Sequence, residues 1–401
     1  MDTPLPTLPR RLRYLIEALL VNTLILSTLY QLIVYLANRR FWSRTLPPVD
    51  TPPSVSVVVP LRSKNLDTLA LLHLLAVTAP SDAYELLLVL EDEHDPAWDI
   101  AQEVTRSYPD VARVVFSGSA AGHNGKIHNL NAGYQVASGD LVAFVDADVQ
   151  TSAELWNAAL AVMDDAGVGA AFAPPLVPDF APAETAWLTG GEMLAGLYTN
   201  HIRAAGLPLA ALTNHVTELQ GGFMLFRHHV LEEAGGFLHL LDSAADDISL
   251  GQLVRENGYR IAVIPVPVHM VPEEQMFDEV TARILRKMII AHAYFPLRFL
   301  ASPFTNPLIA GLSLGLITES EGRWWGRRLW WGLVGLRMTL AYDLDRTRFG
   351  RGWSWIAYAQ LFMLDTFIVP ALWLRALFRR SFVWRGRTYR IHAGGRVVLP
   401  E

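Results

Sequence analysis

The chain has 401 residues, 51% of them hydrophobic and 18% charged, with a formal net charge of −6 at pH 7. Ordinary soluble domains carry about 25% charged residues, so this composition indicates a protein that is part soluble domain and part membrane segment. The negative balance excludes the basic footprint typical of nucleic-acid binding, and we expect no nucleic-acid partner. The absence of cysteine excludes disulfides, thiolate catalysis and cysteine-based zinc sites.

The first predicted element is an apolar helix that forms an N-terminal membrane anchor. The stretch at about 14–36, YLIEALLVNTLILSTLYQLIVYL, is long enough to cross a bilayer, which takes roughly 20 apolar residues. The chain continues as ANRR at 37–40, without the small-residue site at which a signal peptide is cleaved. We therefore predict an anchor over residues 1–50, and a buried helix of a soluble domain is the alternative.

From Ser54 the pattern changes to short β-rich runs that alternate with helical stretches, which predicts an α/β domain over residues 51–278. Continuous apolar strands between helices are typical of a mostly parallel sheet covered on both faces. The predicted strands are Ser54–Pro60, Tyr84–Leu90, Val111–Ser117, Leu141–Val145 and Val168–Phe172, and the predicted helices are Leu66–Val77, Pro96–Ser107, Lys126–Ala137 and one from Ala153. Ligands of such sheets bind beyond the carboxyl ends of the strands, so Pro60 and Arg62 become candidate binding residues.

Carboxylates follow two of these strands. Glu91 and Asp92 follow the second strand, where a carboxylate can accept hydrogen bonds from a base or a ribose; an exposed acidic loop is the alternative. Asp146 and Asp148 follow the fourth strand, and two carboxylates separated by one residue can hold one hard cation. Mg²⁺ and Mn²⁺ prefer such oxygen ligands together with substrate phosphates, and the metal would neutralise a departing diphosphate.

A third acidic site, Asp246-Asp247, precedes a helix predicted to begin near Ile248. An acidic residue at a helix start is often only an N-cap. Together with the other two sites, Asp247 is predicted to be a general base that removes the proton of an acceptor hydroxyl. The His228-His229 pair is not expected to share a metal ion, because adjacent side chains on a short helix diverge.

These motifs together resemble family-2-type inverting glycosyltransferases with the GT-A fold, and more closely the ceramide glucosyltransferase-like branch, families 2 and 21. The resemblance extends from about residue 54 to residue 396. It is carried by PLRSKNLDTL, EDEHDPAWDIA, GHNGKIHNLNAGYQVASGDL, ELQGGFMLFRHHVLEEAGGF, ADDISLGQLVRENGYRI and the C-terminal SFVWRGRTYRIHAGG. The last stretch is the most specific, because general family-2 enzymes lack it.

The resemblance implies a role for each site. Asp92 would contact the base or ribose, Asp148 would be the main metal ligand with Asp146 beside it, and Asp247 would be the base. The other nucleotide-sugar-binding candidates are Pro60, Arg62, Glu91, Lys126 and Asp146. Candidates on the acceptor side are Gly221, Gly222, Asp246 and His201, with Asn200 beside it. A divalent cofactor, Mg²⁺ or Mn²⁺, and a UDP-sugar donor are expected.

One departure from the family concerns its (Q/R)xxRW motif. Here the equivalent stretch is Arg283-Ile284-Leu285-Arg286-Lys287, with lysine in place of tryptophan. Arg283 and Arg286 lie on one face of a helix and could clamp the diphosphate. The segment 279–300 is also predicted to be an amphipathic helix on the membrane surface, and both roles are compatible.

The C-terminal region predicts further membrane helices over residues 301–378 and a basic tail over 379–401. Its candidate spans are Pro303–Thr318, Leu329–Ala341 and Trp355–Leu377, with tryptophans at their edges. The basic tail favours the cytoplasm, so one of the three segments is expected not to cross fully. We therefore expect a GT-A domain with N- and C-terminal transmembrane or interfacial helices.

The expected function is transfer of a sugar from a UDP-sugar to a lipid hydroxyl by direct, inverting displacement. The resemblance implies UDP-glucose and ceramide; a hopanoid or another lipid alcohol is the alternative acceptor. The protein is expected in the inner or plasma membrane with its catalytic domain in the cytosol. A processive polysaccharide synthase and a catalytically dead glycolipid-binding protein remain alternatives. A nucleotidyltransferase is disfavoured because PLRSKN is not a glycine-rich loop.

Overall fold

The computed structural model describes residues 9–62, 67–78, 83–120, 122–177, 190–270, 276–350, 352–384 and 386–399. The chain divides into two compact units. A helical unit combines Met1–Arg39 with Phe277–Arg379, and a second unit combines Arg40–Met276 with Arg380–Glu401. The second unit contains the predicted α/β domain, and we call it the catalytic unit after its expected role. The first helix, α1 (Arg10–Trp42), is 33 residues long and contains the predicted N-terminal span.

The catalytic unit is built around a mostly parallel sheet. Its strands are β1 (Val55–Pro60), β2 (Tyr84–Leu90), β3 (Ala112–Phe116), β4 (Leu141–Val145), β5 (Val149–Gln150), β6 (Val168–Ala173), β7 (Pro175–Leu176), β8 (Phe223–Arg227), β9 (Arg260–Val263) and β10 (Val268–Met270). Seven of them form one sheet in the order β3-β2-β1-β4-β8-β6-β9, and a small second sheet has the order β5-β10-β7. In the large sheet only β8 is antiparallel to its neighbours. The predicted α/β class is confirmed.

Burial explains why these apolar runs form central strands. All five residues of β4 and all six of β6 are buried, so helices must cover both faces of the sheet. The helices of this unit are α2 (Thr68–Thr78), α3 (Trp98–Ser107), α4 (Gly125–Val136), α5 (Ala153–Met163), α6 (Gly190–Tyr198), α7 (Leu207–Leu212), α8 (His228–Glu233) and α9 (Asp246–Glu256).

Some helix boundaries differ from the sequence prediction. α9 begins at Asp246 rather than near Ile248, with Ala245 at its N-cap and no side-chain capping bond. The two aspartates therefore occupy the first helical turn, where the helix dipole favours negative charge. α3 begins at Trp98 rather than Pro96. The predicted start of the second helix, Leu66, lies outside the described residues.

Helix α4 lies unusually close to the sheet at Gly133. A Cβ atom there would overlap the Val58 side chain and lie 3.0 Å from Cγ2 of Val89. We expect Gly133→Ala to lower the free energy of unfolding by about 1–3 kcal/mol, because overpacking a filled core forces displacement. Gln135→Ala, at an exposed position of the same helix, is the control. Chemical denaturation of both variants tests this, and equal stabilities would contradict the close packing.

After the catalytic domain the helical unit continues with α10 (Phe277–Tyr294), α11 (Pro296–Ala301), α12 (Pro307–Glu319), α13 (Trp325–Phe349), α14 (Trp355–Met363) and α15 (Val369–Phe378). In the described part of the chain, two helices are long and apolar enough to cross a membrane, Arg10–Trp42 and Trp355–Phe378. The bent pair Pro296–Thr305 and Pro307–Glu319, with a 54° bend, is a third candidate if it forms one span. The segment predicted at Leu329–Ala341 belongs to α13, which is not among these candidates.

Polar side chains within these helices have partners in the same unit. Arg337 of α13 donates to Asp365, with Nε and Oδ2 2.8 Å apart, and both side chains are largely buried. Tyr358 of α14 donates to Asp345 of α13 at 2.8 Å. Charged groups are costly inside a membrane unless they are paired, so these contacts compensate for the charges that interrupt the apolar sequence.

The predicted basic tail is a folded part of the catalytic unit. It forms a three-stranded antiparallel sheet of β11 (Ser381–Trp384), β12 (Arg387–Ile391) and β13 (Val397–Val398). We call this element the C-terminal sheet. Its buried residues Phe382, Tyr389 and Ile391 explain the fold, because they alternate with exposed positions along each strand.

Candidate active site

The candidate site lies at the carboxyl ends of adjacent parallel strands. β1 lies between β2 and β4, and the ladder pairs Pro60 with Val89 and Val58 with Phe144. The residues that follow these strands therefore share one edge of the sheet. This edge receives Arg62, the Glu91-Asp92 pair and the Asp146–Asp148 turn, as the strand order requires.

Lys126 joins two of the acidic sites. Its Nζ lies 2.8 Å from Oδ1 of Asp146 and 3.0 Å from Oδ2 of Asp246. The lysine stands in the first turn of α4, where the Asn124 side chain accepts hydrogen bonds from the amides of Lys126 and Ile127. Asn124 thus caps α4 and fixes the backbone from which Lys126 reaches the carboxylates.

Asp247 lies against the Gly221-Gly222 turn. Its Oδ2 accepts a hydrogen bond from the Gly221 amide at 3.1 Å and lies 3.7 Å from NH2 of Arg203. A Cβ atom on Gly221 would lie 3.9 Å from Asp146 Oδ2, Asp247 Oδ2 and Lys126 Nζ. The metal-ligand and base candidates, which are about one hundred residues apart in sequence, therefore converge on one glycine.

Gly222 holds this turn through its backbone. It has a φ of +111°, a conformation that residues with a Cβ atom rarely adopt. Its carbonyl accepts a hydrogen bond from the Asp146 amide at 2.9 Å. Gly221 and Gly222 were predicted on the acceptor side. Gly221 adjoins both Asp146 and Asp247, and the acceptor-side roles of the two glycines stay predictions.

The surroundings of the site raise two pKa values, those of Asp247 and Lys126. Burial, followed by the nearby Asp246 carboxylate, raises the pKa of Asp247, while Arg203, the Gly221 amide and Lys126 oppose the shift. Burial lowers the pKa of Lys126, but Asp146 and Asp246 outweigh it and raise that pKa above its ordinary value. Lys126 therefore stays charged, and the raised pKa of Asp247 makes its carboxylate a stronger base than an ordinary aspartate.

The nucleotide-side candidates surround this cluster less tightly. NH1 of Arg62 would lie 3.3 Å from a Cβ atom on Gly125, so the arginine adjoins the start of α4. Asp92 is 60% exposed and its Oδ1 accepts a hydrogen bond from the His94 amide at 2.7 Å. Asp148 is half-buried in the turn that leads into β5. Their roles stay predictions.

The acceptor-side candidates Asn200 and His201 lie in a π-helical turn, Thr199–Arg203, and both are buried. The Asn200 amide is occupied by the backbone of Val177, to which it both donates and accepts a hydrogen bond. These two bonds hold Asn200 to the backbone of Val177, and the acceptor-side roles of Asn200 and His201 stay predictions. The His228-His229 side chains diverge as expected: His228 contacts the Gly139 carbonyl, and the ring of His229 packs edge-on to Tyr259.

Arg283 and Arg286 both lie on α10 and are half-buried. This helix belongs to the helical unit, whereas the acidic cluster belongs to the catalytic unit. The proposed clamp on the diphosphate therefore stays a prediction.

Comparison with known proteins identifies the family. The sequence profile of Glycosyl transferase family 21 matches residues 19–397. The chain belongs to glycosyl transferase family 21. As a member of this family it is a sugar-transferring enzyme, and the resemblance to the ceramide glucosyltransferase-like branch is confirmed.

Individual relatives agree with this family. Ceramide glucosyltransferase 3 of Caenorhabditis elegans is 21% identical over 372 residues, covering 87% of this chain and 75% of the relative. Ceramide glucosyltransferase 1 of the same organism is 20% identical over 357 residues, covering 87% of this chain and 74% of the relative.

A solved structure with the same fold is the mannosyltransferase of Pyrobaculum calidifontis in complex with GDP-Man and Mn²⁺. The TM-score is 0.58 at 19% identity, and the match covers 90% of this chain and 99% of that protein. The GT-A fold predicted for this family 21 enzyme is confirmed.

The candidate site also contains a cation, Arg203, that no sequence motif predicts. Arg203 ends the π-helical turn and faces Asp247, but it stands in the stretch TNHIR without a recognisable motif. A π-helical turn is itself frequent at functional sites. No pattern in the sequence predicts that turn, because it depends on how α6 packs.

Proposed function

We propose that this family 21 enzyme transfers a sugar from a UDP-sugar, in the first place UDP-glucose, to the hydroxyl of a membrane lipid such as ceramide. The observation that carries the proposal is the position of Asp247, a carboxylate with a raised pKa beside the Lys126–Asp146 ion pair. A base next to a site suited to a metal and a diphosphate is the arrangement that sugar transfer requires.

In the proposed reaction, Asp247 removes the proton of the acceptor hydroxyl while that oxygen attacks the anomeric carbon. The new carbon–oxygen bond forms as the bond between that carbon and the diphosphate oxygen breaks, so the anomeric configuration inverts. UDP leaves with the bonding electrons, and the proton stays on Asp247. No side chain becomes covalently attached.

The acidic turn after β4 fits a divalent cation by its donor chemistry. Asp146 and Asp148 offer carboxylate oxygens, which suit Mg²⁺ or Mn²⁺. Among the residues that the structure describes, no three histidine, aspartate or glutamate side chains form a group that could hold a metal. A site with few protein ligands is expected where substrate phosphates complete the coordination. When bound, the metal would stabilise the negative charge of the departing UDP.

We assign the base and ribose to the edge formed by Asp92, Glu91, Pro60 and Arg62. Pro60 ends β1, which is paired with β4, and Arg62 follows β1, whereas Glu91 and Asp92 follow β2 on the other side of β1. Lys126 would contact the diphosphate, because its charge is fixed and it already adjoins Asp146. The two relatives from Caenorhabditis elegans are ceramide glucosyltransferases, which supports a glucosyl donor and a sphingolipid acceptor.

The lipid acceptor is supported by the apolar helices. Two of them, or three with the bent pair, meet the length and composition of a membrane span. We propose an integral protein of the inner or plasma membrane with its catalytic unit in the cytosol. Arg283 and Arg286 would face the diphosphate or the membrane surface, and Lys287 replaces the family's tryptophan there. No contact in the described chain favours a processive polysaccharide synthase.

An assay of UDP release tests the proposal. Purified protein in detergent is incubated with Mn²⁺ or Mg²⁺ and a panel of UDP-glucose, UDP-galactose, UDP-N-acetylglucosamine and GDP-mannose, with or without ceramide or a lipid extract. Lipid-dependent release from UDP-glucose is expected, with a glycolipid product in the extract. Nucleotide release from GDP-mannose alone would mean that the donor is GDP-mannose and not UDP-glucose. Folded protein without release from any donor would contradict the proposal.

The raised pKa of Asp247 makes the activity pH-dependent. The base works only when ionised, so kcat should fall as the pH drops through a pKa above the ordinary aspartate value of about 3.9. Removing a neighbouring cation makes the carboxylate harder to ionise. Arg203→Gln should therefore move the acidic limb of the kcat profile to higher pH. Profiles of the two proteins measure this, and coincident limbs would show that Arg203 does not act on the base.

A further inference from the structure

The segment 241–244 lies one residue before Asp246 and Asp247, which we call the aspartate dyad, and it has a backbone partner on each side. We call it the dyad segment. On one side the Asn124 amide donates to the Leu241 carbonyl at 2.8 Å, and the Asn124 side chain donates to the Ser243 carbonyl at 3.0 Å. The same Asn124 caps the helix that carries Lys126. This side therefore connects the dyad segment to the Lys126 cation.

On its other side the dyad segment contacts the C-terminal sheet. The Ala244 amide donates to the Gly395 carbonyl at 2.9 Å, and the Val397 amide donates to the Asp242 carbonyl at 2.8 Å. Ser243 and Arg396 form the antiparallel bridge between these two bonds. The dyad segment is thus paired like a central strand, with the turn before α4 on one side and the chain end on the other.

Side chains reinforce the same arrangement. The Asp242 carboxylate bonds both the ring and the amide of His123, whose ring packs edge-on against Tyr389 of the C-terminal sheet. Gly122 approaches so closely that a Cβ atom there would lie 2.6 Å from Cβ of Leu241. The contact leaves no room for a side chain at position 122.

The dyad segment transmits its position directly to the aspartates. Ala245 follows it as the N-cap of α9, and Asp246 and Asp247 are the first two helical residues. The Ser243 hydroxyl also bonds the Ser249 hydroxyl at 2.6 Å, which ties the segment to the next turn of α9. A displacement of the segment would therefore displace both carboxylates.

We propose that the C-terminal sheet is a positioning element for sugar transfer: it pairs with the dyad segment and so holds Asp246 and Asp247 in register with Lys126. Placement errors of about 1 Å can cost about 100-fold in rate, so weak backbone contacts suffice for a large effect. The proposal rests on the proposed role of Asp247 as the base. It gives a function to a sheet that follows the helical unit in sequence and contains no predicted catalytic residue.

Two variants of full-length protein at one position separate the hydrogen bond from the side chain. Val397→Pro removes the amide donated to Asp242, whereas Val397→Ala keeps it. We expect the proline variant to lose about 10- to 100-fold in kcat with little change in the KM for the donor. The alanine variant should lose far less. Gly122→Ala, which displaces Leu241 from the opposite side, should resemble the proline variant.

Hydrogen–deuterium exchange gives a readout that does not depend on activity. In Val397→Pro, amides 241–247 should exchange faster, while those of β1 and β2 keep their protection. A proline variant with wild-type kcat, or one whose kcat falls while exchange in 241–247 is unchanged, would overturn the proposal. Asp247→Asn is assayed in parallel. If that variant is fully active, the proposed base is wrong, and the exchange data still judge the contact of the sheet with the dyad segment.

Discussion

Asp247→Asn is expected to lower kcat for lipid-dependent UDP release by about 10²- to 10⁴-fold, the usual contribution of a general base. Asparagine has nearly the same shape, and its amide oxygen can still accept the hydrogen bond from Gly221. It cannot take up the acceptor proton at neutral pH. The effect should therefore fall on kcat, with the KM for the donor changed only a few-fold. Initial rates over a range of donor concentrations measure both constants.

The control for this variant is Asp164→Asn, an exposed aspartate at the end of α5. It makes the same chemical change on the same unit and should leave both constants unaltered. Thermal unfolding of the two variants excludes a loss of folded protein. An Asp247→Asn enzyme that keeps more than about a tenth of the wild-type kcat would mean that another group accepts the proton.

Asp148→Asn is expected to raise the concentration of Mn²⁺ or Mg²⁺ needed for half-maximal activity, and to lower kcat by about 100-fold or more. A metal that neutralises the departing diphosphate contributes several kcal/mol, and an amide is a weaker ligand than a carboxylate. Removing metal with EDTA should abolish the wild-type activity, and either ion should restore it. Titration of the EDTA-treated proteins with each metal measures the change.

Asp92→Asn is the matched comparison, because it removes a carboxylate that follows β2 at the same edge of the sheet. It should raise the KM for the UDP-sugar and leave the metal requirement unchanged. Binding of Mn²⁺ to the protein–UDP complex, followed by electron paramagnetic resonance, provides a readout besides turnover. If Asp148→Asn and the wild type need the same metal concentration for half-maximal activity, Asp148 is not a ligand of the metal.

The strands of the sheet, and the edge at which the candidate site residues follow them, could be predicted from the residue pattern. β2 and β4 have the predicted bounds, and the strands before Arg62, Glu91 and Asp146 all end at the same sheet edge. These features are local, because a continuous apolar run predicts a buried parallel strand. The residues that follow the strand then lie at the edge of the sheet where it ends. The start of α9 at Asp246 could not be predicted, because no capping side chain marks it in the sequence.

Contacts between distant segments were decided only by the tertiary structure. Lys126 forms an ion pair with Asp246, which lies 120 positions later in the sequence. Arg203 lies 3.7 Å from Asp247 and belongs to a π-helical turn that no sequence motif predicts. The charged side chains that interrupt the apolar helices, Arg337 and Asp365, prove to be partners. Periodicity reports only which face of an element is buried, and it carries no information about which element covers that face.

The C-terminal sheet shows this difference most clearly. Its sequence predicted a basic tail and a resemblance to one enzyme branch, because charge and motif can be read residue by residue. The tail's pairing with the segment before Asp246 depends on backbone amides and carbonyls, which every residue type carries and no sequence pattern distinguishes. Residue types and their spacing thus predict the family and the acidic groups of the candidate site, whereas the backbone contacts that hold those groups in place become visible only in the folded chain.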